Sequence, residues 1–152
     1  VVCGDTHTFC IDGLGSVWKI GGSRKEIQPS KLDIPIPITK VATGEYEILF
    51  LDINSEIWYS TISHRGMSIP SKIIWPADKV LSIFCNYGRS FFITVNGSLW
   101  AKGKGLSGEL GIENVKILEN PTKVPLDNVV QIALGSQHTV ALTSEGTVFS
   151  CG

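Results

Sequence analysis

Gly103-Lys104-Gly105-Leu106-Ser107-Gly108 satisfies the G-x-G-x-x-G spacing that cradles pyrophosphate, and Asp127 lies at a suitable distance for a ribose contact. That chemistry needs a helix opening directly after the glycines, because its N-terminus holds the anion. Glu109-Leu110-Gly111-Ile112-Glu113-Asn114 follows instead, carries another glycine and reads as a loop. His7, His64 and His138 could move protons near neutral pH. His7 and His138 each precede a threonine at matching places, which suits hydrogen bonding to backbone where strands turn. His64 falls in the polar stretch 61–68 and is expected to be exposed. No serine or cysteine comes with a credible base and orienting acid, so no catalytic residue is assigned.

Cys3, Cys10, Cys85 and Cys151 could pair or ligate zinc, but no tight Cys-x2-4-Cys knuckle occurs among them. Each sits in an apolar stretch, such as Phe9-Cys10-Ile11 or Ile83-Phe84-Cys85. They are expected to be reduced and buried, with no metal, no cofactor and no disulfide. That usage suits an intracellular setting, cytoplasmic or nuclear. Thirteen basic and 14 acidic side chains leave a net charge of -1. A near-neutral chain argues against direct nucleic-acid binding and against docking on an anionic membrane, since both need a basic excess. No apolar run approaches the ~18 residues of a membrane span. Sixteen glycines and seven prolines, with a single Met, point to a turn-rich β protein rather than a helical bundle.

The elements that must position these residues repeat. Segments beginning at Val1, Val41, Ile83 and Ile132 align without a gap, at spacings of 40, 42 and 49 residues. Each has Gly or Asn at its fourth place (Gly4, Gly44, Asn86, Gly135), where a left-handed backbone at a sharp bend is expected. A run apolar on both faces follows, such as Leu49-Phe50-Leu51 or Phe91-Phe92-Ile93, as for a strand covered on both sides. Leu14-Gly15, Asn54-Ser55, Asn96-Gly97 and Glu145-Gly146 then read as turns, and Asn96-Gly97 is the strongest two-residue hairpin signal because both of its residues accept positive φ. Asn96-Gly97-Ser98 is also a formal glycosylation sequon, read here only as a turn. A second strand carries Val17-Trp18, Ile57-Trp58, Leu99-Trp100 and Val148-Phe149, whose aromatics are expected in the core. Trp75 lies outside that register and is expected on a rim or face.

Pro29-Ser30-Lys31-Leu32, Pro70-Ser71-Lys72-Ile73 and Pro121-Thr122-Lys123-Val124 read as short outer strands, with the lysines lining one edge and discouraging further pairing. About four strands per ~40–50 residues is what a β-propeller blade needs. The expected fold is therefore all-β: a partial β-propeller of four-stranded blades. The expected organisation is a single repeat array over residues 1–152, with units from 1, 41 and 83 and a terminal hairpin at 132–152. A chain opening on Val1 is read as part of a longer propeller.

Residues 99–152 carry Leu99-Trp100-Ala101-Lys102-Gly103, Ser107-Gly108-Glu109-Leu110-Gly111, Pro121-Thr122-Lys123-Val124 and Gly135-Ser136-Gln137-His138-Thr139. This resembles the regulator of chromosome condensation repeat, and Gly4-Asp5-Thr6-His7-Thr8 echoes it. Blades of the WD-repeat kind place their Trp-Asp far from Gly-His, whereas Gly4 to Trp18 and Gly135 to Phe149 are both 14 residues apart. The resemblance implies blades of a propeller of about seven. The first two units depart from it by lacking the glycine-x-leucine-glycine loop, and the histidine place reads His7, Glu47, Arg89, His138. The expected function is a non-catalytic protein-interaction scaffold whose partners are proteins and the remaining blades of its own chain. The alternative that the resemblance implies is guanine-nucleotide exchange on a Ran-like small GTPase.

Overall fold

The computed structural model describes residues 1–22, 28–63 and 66–152, so His64 lies outside the described residues. Strands β1 (Val2–Cys3), β2 (His7–Ile11), β3 (Val17–Gly21) and β4 (Ser30–Lys31) form one antiparallel sheet in chain order. In the second, β5 (Ile38–Thr43), β6 (Glu47–Asp52) and β7 (Ile57–Ser63) pair in sequence. β8 (Gly66–Met67) continues the hairpin from the end of β7, and β9 (Ser71–Lys72) pairs with β7 at Trp58 and Tyr59. The third sheet runs β10 (Val80–Asn86), β11 (Arg89–Thr94), β12 (Leu99–Lys104), β13 (Ile117–Lys123). The fourth is β14 (Val129–Leu134), β15 (Thr139–Thr143) and β16 (Val148–Cys151). No helix occurs among the described residues.

Each sheet packs face to face on the next, and the two-residue period of a strand explains the doubly apolar runs. Phe91 and Ile93 turn towards the fourth sheet and share a core with Ile132 and Ala141. Phe92, between them, turns the other way and packs with Leu49, Leu51 and Ile57 of the second sheet. A third core joins Phe9 and Val17 to Ile48 and Phe50. Each fully buried side chain of this size contributes ~1.5–3 kcal/mol relative to exposure. The aliphatic residue before the aromatic also faces forward: Val17, Ile57 and Leu99 are buried by the following sheet, whereas Val148 is 62% exposed.

Three local expectations are corrected. All four pairs lie in turns, but Asn96-Gly97 is not a two-residue hairpin turn, since in each pair only the second residue has positive φ: Gly15 81°, Ser55 64°, Gly97 79° and Gly146 81°. Gly15 N–H donates to Asp12 O and Asp12 N–H to Ser16 O, each at 3.0 Å, which makes a type I turn closed by a left-handed residue. At the fourth place, Gly4, Gly44, Asn86 and Gly135 do not adopt positive φ. Space is what glycine provides there: a Cβ on Gly44 would lie 3.1 Å from Asn86 Cα and 3.2 Å from Cys85 Sγ, and one on Gly135 would collide with the His138 ring. Cys3 is exposed, because the short β1 leaves it uncovered, while Cys85 is buried and Cys10 and Cys151 are half-buried.

Candidate functional site

The turns joining the second and third strands of each sheet are built around one side chain. Asp12 Oδ1 accepts the N–H groups of Leu14 and Ser16, both at 2.9 Å, and its Oδ2 accepts Trp18 Nε1–H at 3.0 Å. Asp52 does the same for Asn54 (2.8 Å), Glu56 (2.9 Å) and Trp58 Nε1 (3.0 Å). The Trp18 bond, the Ser16 and Leu14 N–H groups and nearby Lys31 hold the Asp12 carboxyl below its usual range against some desolvation. In the third unit Thr94 takes the place, and the buried Trp100 Nε1 finds no acceptor among the described residues. These caps escape a reading by repeat alone; their signal is an aspartate six residues before a tryptophan, twice.

The caps hold a row of aliphatic tips. Leu14 is 84% exposed, Ile53 64% and Val95 58%. All three lie on turns at the same end of neighbouring sheets, and the turns are tied to adjoining backbone. Gly15 O accepts Ile38 N–H of the second sheet at 2.8 Å, and Gly97 O accepts Val129 N–H of the fourth at 2.9 Å. Ile53 N–H and Val95 N–H donate to Pro37 O (3.0 Å) and Lys79 O (2.9 Å). Protruding aliphatics on stiff turns can contribute apolar contact at little ordering cost.

At the other end, the histidine place carries different chemistry each time, and Glu47 and Arg89 reach the next sheet from it. His7 stacks on Phe9 with ring centroids 6.3 Å apart, and its Nδ1 lies 2.6 Å from Thr6 Oγ1. Glu47 Oε2 approaches Cys85 Sγ (3.7 Å) and Ser90 Oγ (3.5 Å). Burial, then the Glu47 carboxylate, pushes the Cys85 thiol up to about 12. Arg89 is buried, and its guanidinium donates to Ser136 O (3.1 Å), His138 O (3.3 Å) and Gly135 O. Glu109 Oε1 lies 4.0 Å from it. Burial raises the Glu109 carboxyl, but its own N–H, that of Ser107 (2.8 Å) and Arg89 outweigh this and hold it below the usual range. His138 is exposed, and its carbonyl also accepts Gly135 N–H at 2.9 Å.

The remaining singled-out residues separate. Lys72 pairs with Glu56 at 2.5 Å and Lys123 with Asp127 at 3.0 Å, while Lys31 acts on Asp12, so each edge lysine stands near a carboxylate. Asn96 Nδ2 donates to Asp78 Oδ2 at 2.7 Å, which places the sequon amide inside a turn contact. Gly103 ends in β12, and residues 105–116 form turns in which the Glu109 carboxylate accepts Ser107 N–H. Trp75 is not on a rim: it is half-buried against the core shared by the second and third sheets. Of the four repeat aromatics, Phe149 is partly exposed on its edge strand.

Residues 129–152, which form β14–β16, match the regulator of chromosome condensation (RCC1) repeat. One regulator of chromosome condensation repeat is thus recognised in the chain, at residues 129–152. It is 22% identical over 161 aligned residues, 100% of this chain and 38% of the relative, to RCC1 repeat-containing protein C10F6.04 of Schizosaccharomyces pombe. It is 43% identical over 82 residues, 51% of this chain and 6% of the relative, to the X-linked retinitis pigmentosa GTPase regulator homolog of Caenorhabditis elegans. Prp20p of Saccharomyces cerevisiae superposes with a TM-score of 0.80 at 20% identity, over 98% of this chain and 43% of Prp20p. Human WBSCR16 gives 0.80 at 20% identity, over 97% and 46%. The fold is thus that of RCC1-type β-propellers, and the chain spans less than half of each of these proteins.

Proposed function

We propose that this RCC1-repeat chain is a non-catalytic scaffold that holds protein partners, acting intracellularly as an arc of a larger propeller. The observation that carries it is the row Leu14, Ile53, Val95, three exposed aliphatics on braced turns at one end of the array. A propeller offers its loops for docking, and rigid apolar tips are what a protein surface can bury. The exposed Val148, at the place where Val17, Ile57 and Leu99 are covered, supports a further blade against the fourth sheet. The test is the combined variant Leu14→Asp, Ile53→Asp, Val95→Asp in quantitative cross-linking. A partner held by the unaltered protein and lost from the variant, with thermal unfolding unchanged, is the expected result. Equal capture by both would refute the role of this row.

The second reading is guanine-nucleotide exchange on a Ran-like small GTPase. What favours it is the likeness to Prp20p, a protein characterised for binding Gsp1p and histones, and to a GTPase regulator homolog. A fluorescent-nucleotide release assay with a Ran-type GTPase decides between the two. No stimulation by either this chain or a longer protein containing it leaves the scaffold reading in place, and stimulation by this chain reverses the order.

A further inference from the structure

Between the third and fourth sheets lies a cavity of about 220 Å3. Phe91, Leu99, Leu110 and Ala141, all buried, make its floor, and Leu126 and Phe149 stand at its more exposed mouth. The equivalent cleft between the second and third sheets is filled by this chain itself. There the Trp75 indole lies on Phe92 and Trp100, with ring centroids 5.1 and 5.4 Å away. Phe92 pairs with Trp100 across β11 and β12 as Ala141 pairs with Phe149 across β15 and β16. Lys72-Ile73-Ile74-Trp75 likewise corresponds to Lys123-Val124-Pro125-Leu126. A leucine therefore stands where the neighbouring cleft has an indole, and an alanine where it has a phenyl ring.

The missing volume does not close up, because the Arg89 bonds to the 135–138 carbonyls hold the two sheets in register. Two polar side chains on the wall are already engaged. Thr139 Oγ1–H donates to Glu109 O at 2.8 Å, and Cys151 Sγ lies 3.6 Å from the same oxygen. What remains is an apolar slot larger than the ~150 Å3 that suffices for benzene.

We propose that this cleft receives an aromatic side chain, an indole or phenyl ring, from the protein partner that the scaffold reading requires; the inference rests on that reading. Trp75 is the argument for a polypeptide source. Its ring enters the neighbouring cleft from an extended connection whose flanking residues, Ile74 and Pro76, stay exposed. A partner segment can present its ring in the same way.

The probe is N-acetyltryptophanamide, titrated into the 152-residue chain by calorimetry and by amide NMR, with free indole in parallel. Saturable binding of the amide is expected, with shifts centred on Leu110, Leu126, Ala141 and Phe149. Leu126→Trp and Ala141→Phe each place the chain's own ring in the slot and should weaken binding about tenfold or more. Both variants should also raise the unfolding temperature. If one fails to fold, the other decides. Absence of saturable binding, or binding that survives in a folded slot-filling variant, overturns the proposal. So does binding of indole without the amide, which would make the slot a small-molecule site. The Leu14, Ile53, Val95 variant should bind the probe normally. Loss of a partner by that variant alongside an inert slot would sink this inference and leave the scaffold reading standing.

Discussion

Buried Asp52 accepts two backbone N–H groups and an indole N–H on its carboxylate. Asp52→Ala strands those three donors and should cost about 2–3 kcal/mol in urea unfolding. The opposite change is available one sheet along. Thr94→Asp would offer Trp100 Nε1 the acceptor it lacks and should stabilise by about 1 kcal/mol. A loss of stability in Thr94→Asp would show that the third turn cannot adopt the Asp52 geometry. The thiols give a pH test. Above the ordinary thiol range the unfolded chain ionises Cys85 while the folded chain, held at about 12, does not. Unfolding then releases a proton, so stability should fall as pH rises between about 9 and 12. Below that window Cys85 contributes no slope. In native labelling at neutral pH, exposed Cys3 should react first and Cys85 last.

Strands and turns owe their interplay to contacts between sheets, and Arg89 is the test of one. Arg89→Ala removes a buried cation from three carbonyls and from Glu109, and should cost roughly 3–5 kcal/mol. Hydrogen exchange should then accelerate first in β14–β16, with β5–β7 unchanged; uniform acceleration would mean that the sheets unfold together. Much of the all-β fold is legible in the sequence, because doubly apolar runs and outer Pro-Ser-Lys segments recur with nearly one period and depend only on local alternation. What resists reading is whatever depends on a residue in the next unit. Gly44 is glycine because Asn86 and Cys85 approach it, not because of its own backbone angle. Trp75 reads as peripheral until Phe92 and Trp100 are seen beneath it. The aliphatic tips are visible as letters, but their exposure follows from turn caps that bind at a distance of two, four and six residues. The slot at Leu126 and Ala141 exists only by comparison between two clefts.

At the scale of the whole molecule, the fourth sheet presents Val148 outward on β16, which has no outer strand paired to it among the described residues. The chain on its own should therefore self-associate through this sheet. Light scattering should show a mass rising with concentration, and Val148→Glu should return it towards the monomer; a clean monomer at high concentration would contradict the expectation.

The variable place read as His7, Glu47, Arg89 and His138 has a consequence for assembly. Similar units could stack out of order during folding, since their cores are of one kind. The side chains at the joints oppose it. Glu47 brought against the carbonyls of Gly135, Ser136 and His138 would set a carboxylate on three acceptors, and Arg89 set against the Cys85 site would bury a cation without its carbonyl cage. These two joints thus accept their own neighbours and penalise swapped ones. Divergence at this position, which obscures the repeat, is also what makes the succession of sheets unambiguous.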